Sequence, residues 1–433
     1  MWNALKNSFK IPELRSRIIF TFAMLAVFRL GIYIPVPGIN LHQWSNFFEG
    51  ITRGTGGGLF TLFNAFAGGA VKKMSIFTMS VTPYINASII LQLLMAVMPS
   101  LKELAKEGEH GRQKIERYTR ELTLVLAVLQ GLIMSVFIAV GNPAFITPGM
   151  NRITFIILST TSMIAGSMFL LWLGERITDK GIGNGISVLI FAGVVATYPY
   201  YIGRMVISNI GIVAWVLFAL IFVATVIGLI YIMQGERRIM VQYAKRVVGR
   251  KMYGGQSTYI PIKVNQGGVI PIIFAVAIVM IPAMIAQFAK NYTLEQIFGF
   301  NSVLYILTYA LLVFFFTYFY SALTFDVHEV SDNIKEYGGF IPGIRPGRPT
   351  ENYLSKVLTR VTFVGALALV AIALLPNLTS VVVGVSSAQY IVGGVGMMIA
   401  VGVALDVVQQ MEAHLIMRHY EGFIKKGRLK GRM

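Results

Sequence analysis

Residues 361–405 read VTFVGALALVAIALLPNLTSVVVGVSSAQYIVGGVGMMIAVGVAL, and none of these 45 residues carries a charge. A single helix of that length would extend about 68 Å, more than twice the thickness of a bilayer's hydrocarbon core. The step Pro376–Asn377, followed by Thr379 and Ser380, has the composition of a turn. The stretch therefore predicts two membrane-spanning helices, separated by a turn that begins at Pro376.

Other uncharged apolar runs of the same kind occupy most of the chain. About 20 apolar helical residues are needed to cross a bilayer. The runs therefore predict an all-α integral membrane protein with ten transmembrane helices. The predicted spans cover residues 18–33, 76–97, 122–140, 153–173, 186–201, 210–233, 269–288, 303–325, 361–375 and 381–405.

The distribution of charge predicts how these spans are oriented. The 433 residues are 55% hydrophobic and 13% charged, which excludes a disordered chain and disfavours a soluble enzyme. The net charge is +18, and 30 of the 37 Lys and Arg residues lie in the termini and the even-numbered loops. Only six lie in the odd-numbered loops. This asymmetry predicts that both termini lie in the cytoplasm.

Two of the predicted cytoplasmic loops are long, at residues 234–268 and 326–360. The first contains seven basic residues and a single acidic residue, Glu236. One interpretation is that this charge only fixes the orientation of the chain in the membrane. The other is that the loop docks a polyanion such as ribosomal RNA, or an acidic protein. The sequence alone leaves both interpretations open.

One predicted external segment is unusual, because residues 59–67 form a short apolar run between two glycine clusters. As a helix these residues would extend about 14 Å, half the thickness of a bilayer core. Leu59, Phe60, Phe63 and Phe66 would share one face. The segment is either re-entrant and buried in protein, or an interfacial helix that anchors a loop.

The sequence contains few groups that could perform chemistry. It has no Cys, no Walker A sequence and no H-E-x-x-H, so we expect no metal, no cofactor and no enzymatic activity. Gly181-Ile-Gly-Asn-Gly185 has the wrong spacing for a phosphate loop and is interpreted as a flexible entry to span five. Arg29 is the only clear charge inside a span, and it could snorkel or donate to carbonyls at a helix end. Ion-coupled carriers usually contain intramembrane carboxylates or paired charges, so this class is disfavoured.

Six short strings of sequence occur in an order typical of one membrane-protein family. They are IPVPGI (34–39), PYINASII (83–90), GEHGR (108–112), GIGNGIS (181–187), YAKR (243–246) and GGFIPGIRPG (338–347). From about Arg17 to its C-terminal tail, the chain resembles the SecY family of bacterial protein-conducting channels. The resemblance implies two pseudo-symmetric inverted halves of five spans each, around an hourglass pore. The halves would be residues 1–203 and 204–410, followed by a basic cytoplasmic tail at 411–433.

The resemblance also implies roles for individual residues. A re-entrant plug would lie at about residues 57–69, with Leu59, Phe60, Leu62, Phe63, Asn64 and Phe66 in it. The apolar pore ring would be Val81, Ile85, Ile186, Ile190, Ile273 and Ile399. A lateral gate between spans two and seven would include Asn86, Gln92 and Ile281. Cytoplasmic partners would dock at Lys245, Arg246, Arg250, Arg345 and Arg360.

The function implied by the resemblance is a passive channel in the bacterial inner (plasma) membrane. It would pass nascent polypeptides across the membrane and release signal peptides and transmembrane helices sideways into the lipid. A docked ribosome or the SecA ATPase would drive transport, and SecE and SecG would be small partner subunits. Two other classes remain open: a small-solute transporter, which would need a buried charged or coordinating site, and a membrane scaffold, which would conduct nothing.

Overall fold

The computed structural model describes residues 11–53, 61, 64–208, 210–243, 246–248, 251–253, 257–276, 278–279, 302–385 and 387–427. Helices dominate these residues. The chain divides into two compact units. The first comprises Met1–Tyr201 and Val403–Met433, and the second comprises Ile202–Gly402.

The first unit is a helical bundle organised around one long central helix. Its helices are α1 (Pro12–Gly31), α2 (Leu41–Arg53), α3 (Thr82–Val97), α4 (Pro99–Lys106), α5 (Glu109–Gly141), α6 (Arg152–Lys180) and α7 (Gly185–Val195), and α8 (Tyr198–Ile207) leads into the second unit. Helix α6 packs against α1, α5 and α7, and α3 packs against α5. The amide of Asn184 caps α7, because its Oδ1 accepts a hydrogen bond from the Ser187 backbone N–H at 3.2 Å.

The second unit combines helices with a small sheet. Its elements are α9 (Ile212–Gln234), β1 (Glu236–Tyr243), β2 (Arg246–Val248), β3 (Lys251–Tyr253), β4 (Ser257–Lys263), α10 (Val303–Thr324), α11 (Val327–Glu336), β5 (Gly339–Phe340), α12 (Arg348–Val383), α13 (Ala388–Ile391) and α14 (Gly394–Gly427). Residues 270–276 are also helical. Helix α12 packs against α9, α10, α11 and α13. Helix α14 begins in this unit, and its residues from Val403 onward belong to the first.

The sheet joins the two long loops between the helices. Its strand order is β4-β1-β5, and both pairings are antiparallel. Ile239 and Val241 of β1 point inward and pack with Ile262, Ile334 and Leu354. Gln242 pairs with Phe340, so the loop at 234–268 is hydrogen-bonded to the loop at 326–360. The sequence did not predict this sheet.

The predicted turn at Pro376 is wrong, because α12 continues through it to Val383. Pro376 lacks the backbone donor that would bond the Ile372 carbonyl, a loss that transmembrane helices tolerate, and the hydroxyl groups that follow it bond carbonyls of the same helix. Thr379 Oγ1 donates to the Leu375 carbonyl at 2.7 Å, and Ser380 Oγ donates to the Asn377 carbonyl at 2.9 Å. The helix ends where Gly384 adopts a left-handed conformation, with φ of +74°. The two long helices are therefore separated by residues 384–393.

The described residues contain seven helical segments that are long and apolar enough to cross a membrane. The number is eight if α3 and α4, which meet at a bend of 101°, are counted as one broken span. Half of predicted span seven, at residues 269–288, lies outside the described residues. Predicted span one corresponds to α1, which also contains Glu13, Arg15 and Arg17. The full count of ten therefore stays a prediction, whereas the all-helical membrane class is confirmed.

A cluster of hydroxyl groups joins α5 to α6 and carries a testable prediction. Ser159 Oγ and Thr160 Oγ1 donate to Ser135 Oγ at 2.8 and 3.0 Å, and Ser135 is fully buried. We expect Ser135→Ala to lower the free energy of unfolding by about 1 kcal/mol, as interhelical hydrogen bonds in membranes usually contribute. Denaturant titration of the detergent-solubilised protein measures this value. The control is Thr161→Ala, because exposed Thr161 bonds only within its own helix in the described contacts. An equal loss in both variants would contradict the assignment.

Candidate functional site

Four of the six predicted pore-ring residues share one apolar cluster in the first unit. Val81 and Ile186 are buried in it, and Ile85 and Ile190 pack against it half-buried. The same cluster contains Ala67, near the end of the predicted plug, and Ala70 and Val71, which follow the plug. Branched alkyl side chains have no hydrogen-bonding group, so they cannot hold ions or water in place. The structure therefore places an uncharged, non-binding surface next to the end of the plug segment.

Local backbone features position α3 and α7 beside this surface. Helix α3 begins after Val81, and Pro83 occupies its first turn, where a missing backbone donor costs nothing. Helix α7 packs so closely against α6 that a Cβ on Gly185 would collide with the backbone oxygen of Gly174. Ile186 follows directly and contacts Gly174 in turn. The glycine pair thus sets the position of Ile186 on the cluster.

The glycine loop before α7 is held by side chains from three helices. The backbone N–H groups of Ile182, Gly183 and Gly185 donate to other parts of the first unit. Their acceptors are Thr21 Oγ1 at 3.1 Å, Gln410 Oε1 at 2.8 Å and Thr178 Oγ1 at 2.9 Å. The loop is therefore fixed, in contrast to the flexible entry expected from its composition. No local sequence signal identifies Thr21 or Gln410, because they lie 161 and 227 residues from their partners.

The structure describes part of the predicted plug. Leu59, Phe60, Leu62 and Phe63 lie outside the described residues. Asn64 is buried, and its Oδ1 accepts a hydrogen bond from the Lys72 backbone N–H at 2.8 Å. The Asn64 carbonyl accepts from the Gly69 N–H at 2.7 Å, and Phe66 is half-buried. Asn64 thus closes the turn at the C-terminal end of the predicted plug.

The other predicted ring and gate residues lie in separate places. Ile273 is half-buried and Ile399 is buried on α14, and both belong to the second unit. Asn86 and Gln92 are half-buried on α3. Gln92 Nε2 lies 3.5 Å from Ser88 Oγ one turn earlier in the same helix. Ile281 lies outside the described residues.

The predicted docking residues belong to the two joined loops and to the first half of α12. Lys245 and Arg250 lie outside the described residues, and Arg246 begins β2. Arg345 is exposed and lines a cleft of about 580 Å³ together with Lys335 and the loop glycines. Its carbonyl accepts a hydrogen bond from Thr350 Oγ1 at 2.9 Å, which fixes the backbone of this string. Arg360 is exposed on α12.

The outward face of the sheet presents a group that the sequence did not single out. The Arg238 guanidinium lies 4.9 Å from the centre of the Tyr259 ring, and both residues are exposed. Arg238 Nε donates to Glu236 Oε1 at 2.6 Å. This hydrogen bond raises the pKa of the Arg238 guanidinium above its ordinary value, so the side chain stays charged. A cation, an aromatic ring and the adjacent exposed Met240 form a surface suited to binding a partner.

A possible metal-binding residue, His328, does not assemble a site. Its Nε2 lies 3.4 Å from Asp332 Oδ2, and its Nδ1 lies 3.5 Å from Glu351 Oε2. The two ring nitrogens point in different directions and cannot bind one ion together. Across the part of the chain that the structure describes, no three His, Asp or Glu side chains converge as metal ligands.

Comparisons with known proteins agree on one family. The SecY family model matches residues 75–408. The protein translocase subunit SecY of Thermotoga maritima is 58% identical over 433 residues, which cover all of both chains. The fold is similar to a solved structure of a protein-conducting channel, with a TM-score of 0.62, 17% identity, and coverage of 94% of this chain and 96% of the other. It is also similar to Sec61 in a canine ribosome–channel complex, with a TM-score of 0.57, 16% identity and the same coverage.

Proposed function

The chain belongs to the SecY family, and on this premise we propose that it is the channel subunit of a protein translocase. It passes unfolded polypeptides across a membrane and releases apolar helices sideways into the lipid. Members of this family are multi-pass membrane proteins that act as translocation channels and not as enzymes, and we propose the same for this chain. We place it in the bacterial inner membrane, with both termini in the cytoplasm.

One observation carries this proposal: four of the six predicted ring residues share a single apolar cluster with Ala67, which lies at the C-terminal end, or base, of the predicted plug. A narrow apolar constriction excludes water by dewetting and so blocks ions. The same surface forms no hydrogen bonds with a peptide, so it accepts polypeptides irrespective of their sequence. We propose that Ile273 and Ile399 complete the ring from the other half.

Lateral release follows from the properties of α3 and its proposed partner, span seven. Asn86, Gln92 and Ile281 would line the gate between them. An apolar helix in this opening gains about 0.3 to 0.6 kcal/mol for each Leu-like residue that enters the lipid. Partition of the substrate itself therefore supplies the direction of release, and the channel needs no chemical step for it.

Partners supply the driving force for translocation. The sequence contains no Walker A motif, so we propose that a ribosome or the SecA ATPase docks on the joined loops at 234–268 and 326–360. Support comes from the exposed Arg345 and Arg360 and from the basic residues Lys245, Arg246 and Arg250. SecE and SecG would complete the complex. The working halves would be residues 1–203 and 204–410, with the tail at 411–433 contributing to docking.

Deletion of residues 59–67 tests the proposal. We expect the ionic conductance of channels in planar bilayers to rise by about tenfold, because the apolar constriction loses the segment that seals it. A second variant replaces the same nine residues by a Gly–Ser linker, which separates loss of the plug from shortening of the chain. Both variants should leak. Background conductance in both would contradict the plug and would favour a membrane scaffold.

A further inference from the structure

We propose that Arg29 is a latch that holds the base of the plug in place by donating a hydrogen bond to the backbone carbonyl of Gly68. Arg29 Nη1 lies 2.9 Å from this oxygen. The proposal rests on the proposed function, since a latch of this kind requires a plug. It assigns a positioning role to a residue that the channel mechanism described above leaves without one.

The location of Arg29 is the first argument for a specific role. The residue occupies the last turn of α1, within a predicted span, and its side chain is half-buried. Ionisable groups inside membrane helices are costly, and those that persist usually serve a function. Snorkelling would direct the guanidinium to water. Here the guanidinium instead donates to the carbonyl of Gly68, a residue 39 positions later in the chain. The acceptor is a backbone atom, so the bond does not depend on a particular plug side chain.

The contact lies at the point where the plug segment turns back. Gly68 and Gly69 have φ values of +64° and +92°, which favour glycine. A Cβ on Gly68 would lie 3.1 Å from Gly193 Cα of α7 and 3.1 Å from Ile32 Cδ1. The latch therefore fixes the turn within contact distance of α7, the helix that carries Ile186 and Ile190.

The chain beyond this turn is held by different groups. Trp44 Nε1 donates to the Val71 carbonyl at 2.9 Å. Lys72 Nζ lies 3.0 Å from Glu49 Oε1, and both Trp44 and Glu49 belong to α2. These contacts fix the chain after the glycine pair, Gly68 and Gly69. Arg29, in contrast, bonds to Gly68, the first residue of that pair. Release of the Arg29 bond would thus remove the hydrogen bond between the turn and α1, and would leave the bonds of Asn64 to Lys72 and Gly69 and the anchors on α2 in place.

A second cation near the outer end of α1 has a different contact. Lys73 Nζ lies 3.1 Å from the centre of the Tyr33 ring, two residues after α1 ends. It carries the same charge as Arg29, but its contact is with a ring and not with the backbone of the plug segment. Lys73 therefore provides a matched control for the loss of one positive charge in this region.

The absence of Cys from the sequence allows a selective chemical test. Arg29→Cys should raise the conductance of otherwise unperturbed channels about fivefold, since the bond that holds the turn is lost. Treatment with 2-aminoethyl methanethiosulfonate forms a mixed disulfide, releases methanesulfinate and adds a positive charge. It should restore low conductance, whereas the anionic 2-sulfonatoethyl reagent should not. Lys73→Cys should conduct at the level of the unmodified protein before and after either reagent.

A second pair of variants tests the geometry without removing the charge. A Cβ on Gly193 would lie 3.0 Å from the Phe66 carbonyl oxygen and 3.2 Å from the Gly68 nitrogen. Gly193→Ala should therefore displace the turn and raise conductance, even if Arg29→Cys fails to fold. Gly203→Ala is the control, because a Cβ there meets no atom within 4 Å.

The outcomes separate the latch from the plug itself. Leakage of Arg29→Cys and Gly193→Ala, with rescue by the cationic reagent alone, supports the latch. Rescue by both reagents would overturn it, because filling space would then suffice. If the plug deletion leaks while Arg29→Cys and Gly193→Ala conduct at background, the latch is wrong and the proposed function stands. If the plug deletion does not leak either, the proposed function fails first.

Discussion

Gly185→Val is expected to destabilise the first unit by more than about 4 kcal/mol, a loss that arises only from severe steric effects. The new Cβ would collide with the Gly174 carbonyl and would lie 2.8 Å from Ile177 Cβ. Both contacts are with rigid parts of α6, so the two helices would be forced apart. We expect the midpoint of thermal unfolding in detergent to fall by roughly 10 °C or more.

The same substitution at Gly203 provides the control for Gly185→Val. Gly203 lies in α8, and no atom lies within 4 Å of a Cβ placed on it. Gly203→Val should leave the unfolding midpoint nearly unchanged, since the helix only loses a glycine. A midpoint for Gly185→Val that equals this control would show that α6 and α7 can separate without cost, against the packing described above.

Arg345→Glu is expected to weaken the proposed docking of a ribosome or SecA by at least about tenfold, because reversing a charge at a complementary interface costs more than 1.4 kcal/mol. Arg345 is exposed on a cleft whose backbone is fixed by Thr350, so the substitution should leave the fold intact. The measurement is the affinity for purified ribosomes and for SecA, together with translocation into reconstituted vesicles. Higher ionic strength should reduce the difference from the unmodified protein.

Arg152→Glu makes the same change on the side of the membrane predicted to be external. Arg152 is exposed at the start of α6, where a negative charge suits the helix terminus. We expect its affinity for both partners to match that of the unmodified protein. Equal affinity and equal translocation for Arg345→Glu would rule out the cleft as a docking site.

The membrane class follows directly from the sequence, because long uncharged runs such as residues 361–405 have few other solutions. At Pro376, by contrast, the local pattern predicts the wrong structure. Proline followed by Thr379 and Ser380 reads as a turn in water. In an apolar helix the same hydroxyls bond the carbonyls of Leu375 and Asn377, and the helix continues.

Features that depend on distant residues were not accessible to local patterns. The sheet requires Gln242 to meet Phe340, almost 100 residues later in the chain. The partners of the glycine loop, Thr21 and Gln410, give no signal at their own positions. The grouping of Val81 with Ile186 was expected from the family resemblance, since neither residue has a pattern of its own to mark it.

The bond between Gly183 and Gln410 has a consequence for how the protein is made. The first unit is not complete after its first 201 residues, because Val403 and the residues after it also belong to it. Gln410 is synthesised 227 residues after Gly183, which corresponds to roughly 10 to 45 s of translation. During that interval the Gly183 amide and the cluster of Leu14, Ile18 and Ile182 lack their last partners, Gln410 and Met411. The first unit therefore completes its packing only after α14 has been synthesised. Its N-terminal helices are made first, yet they gain their last contacts near the end of synthesis.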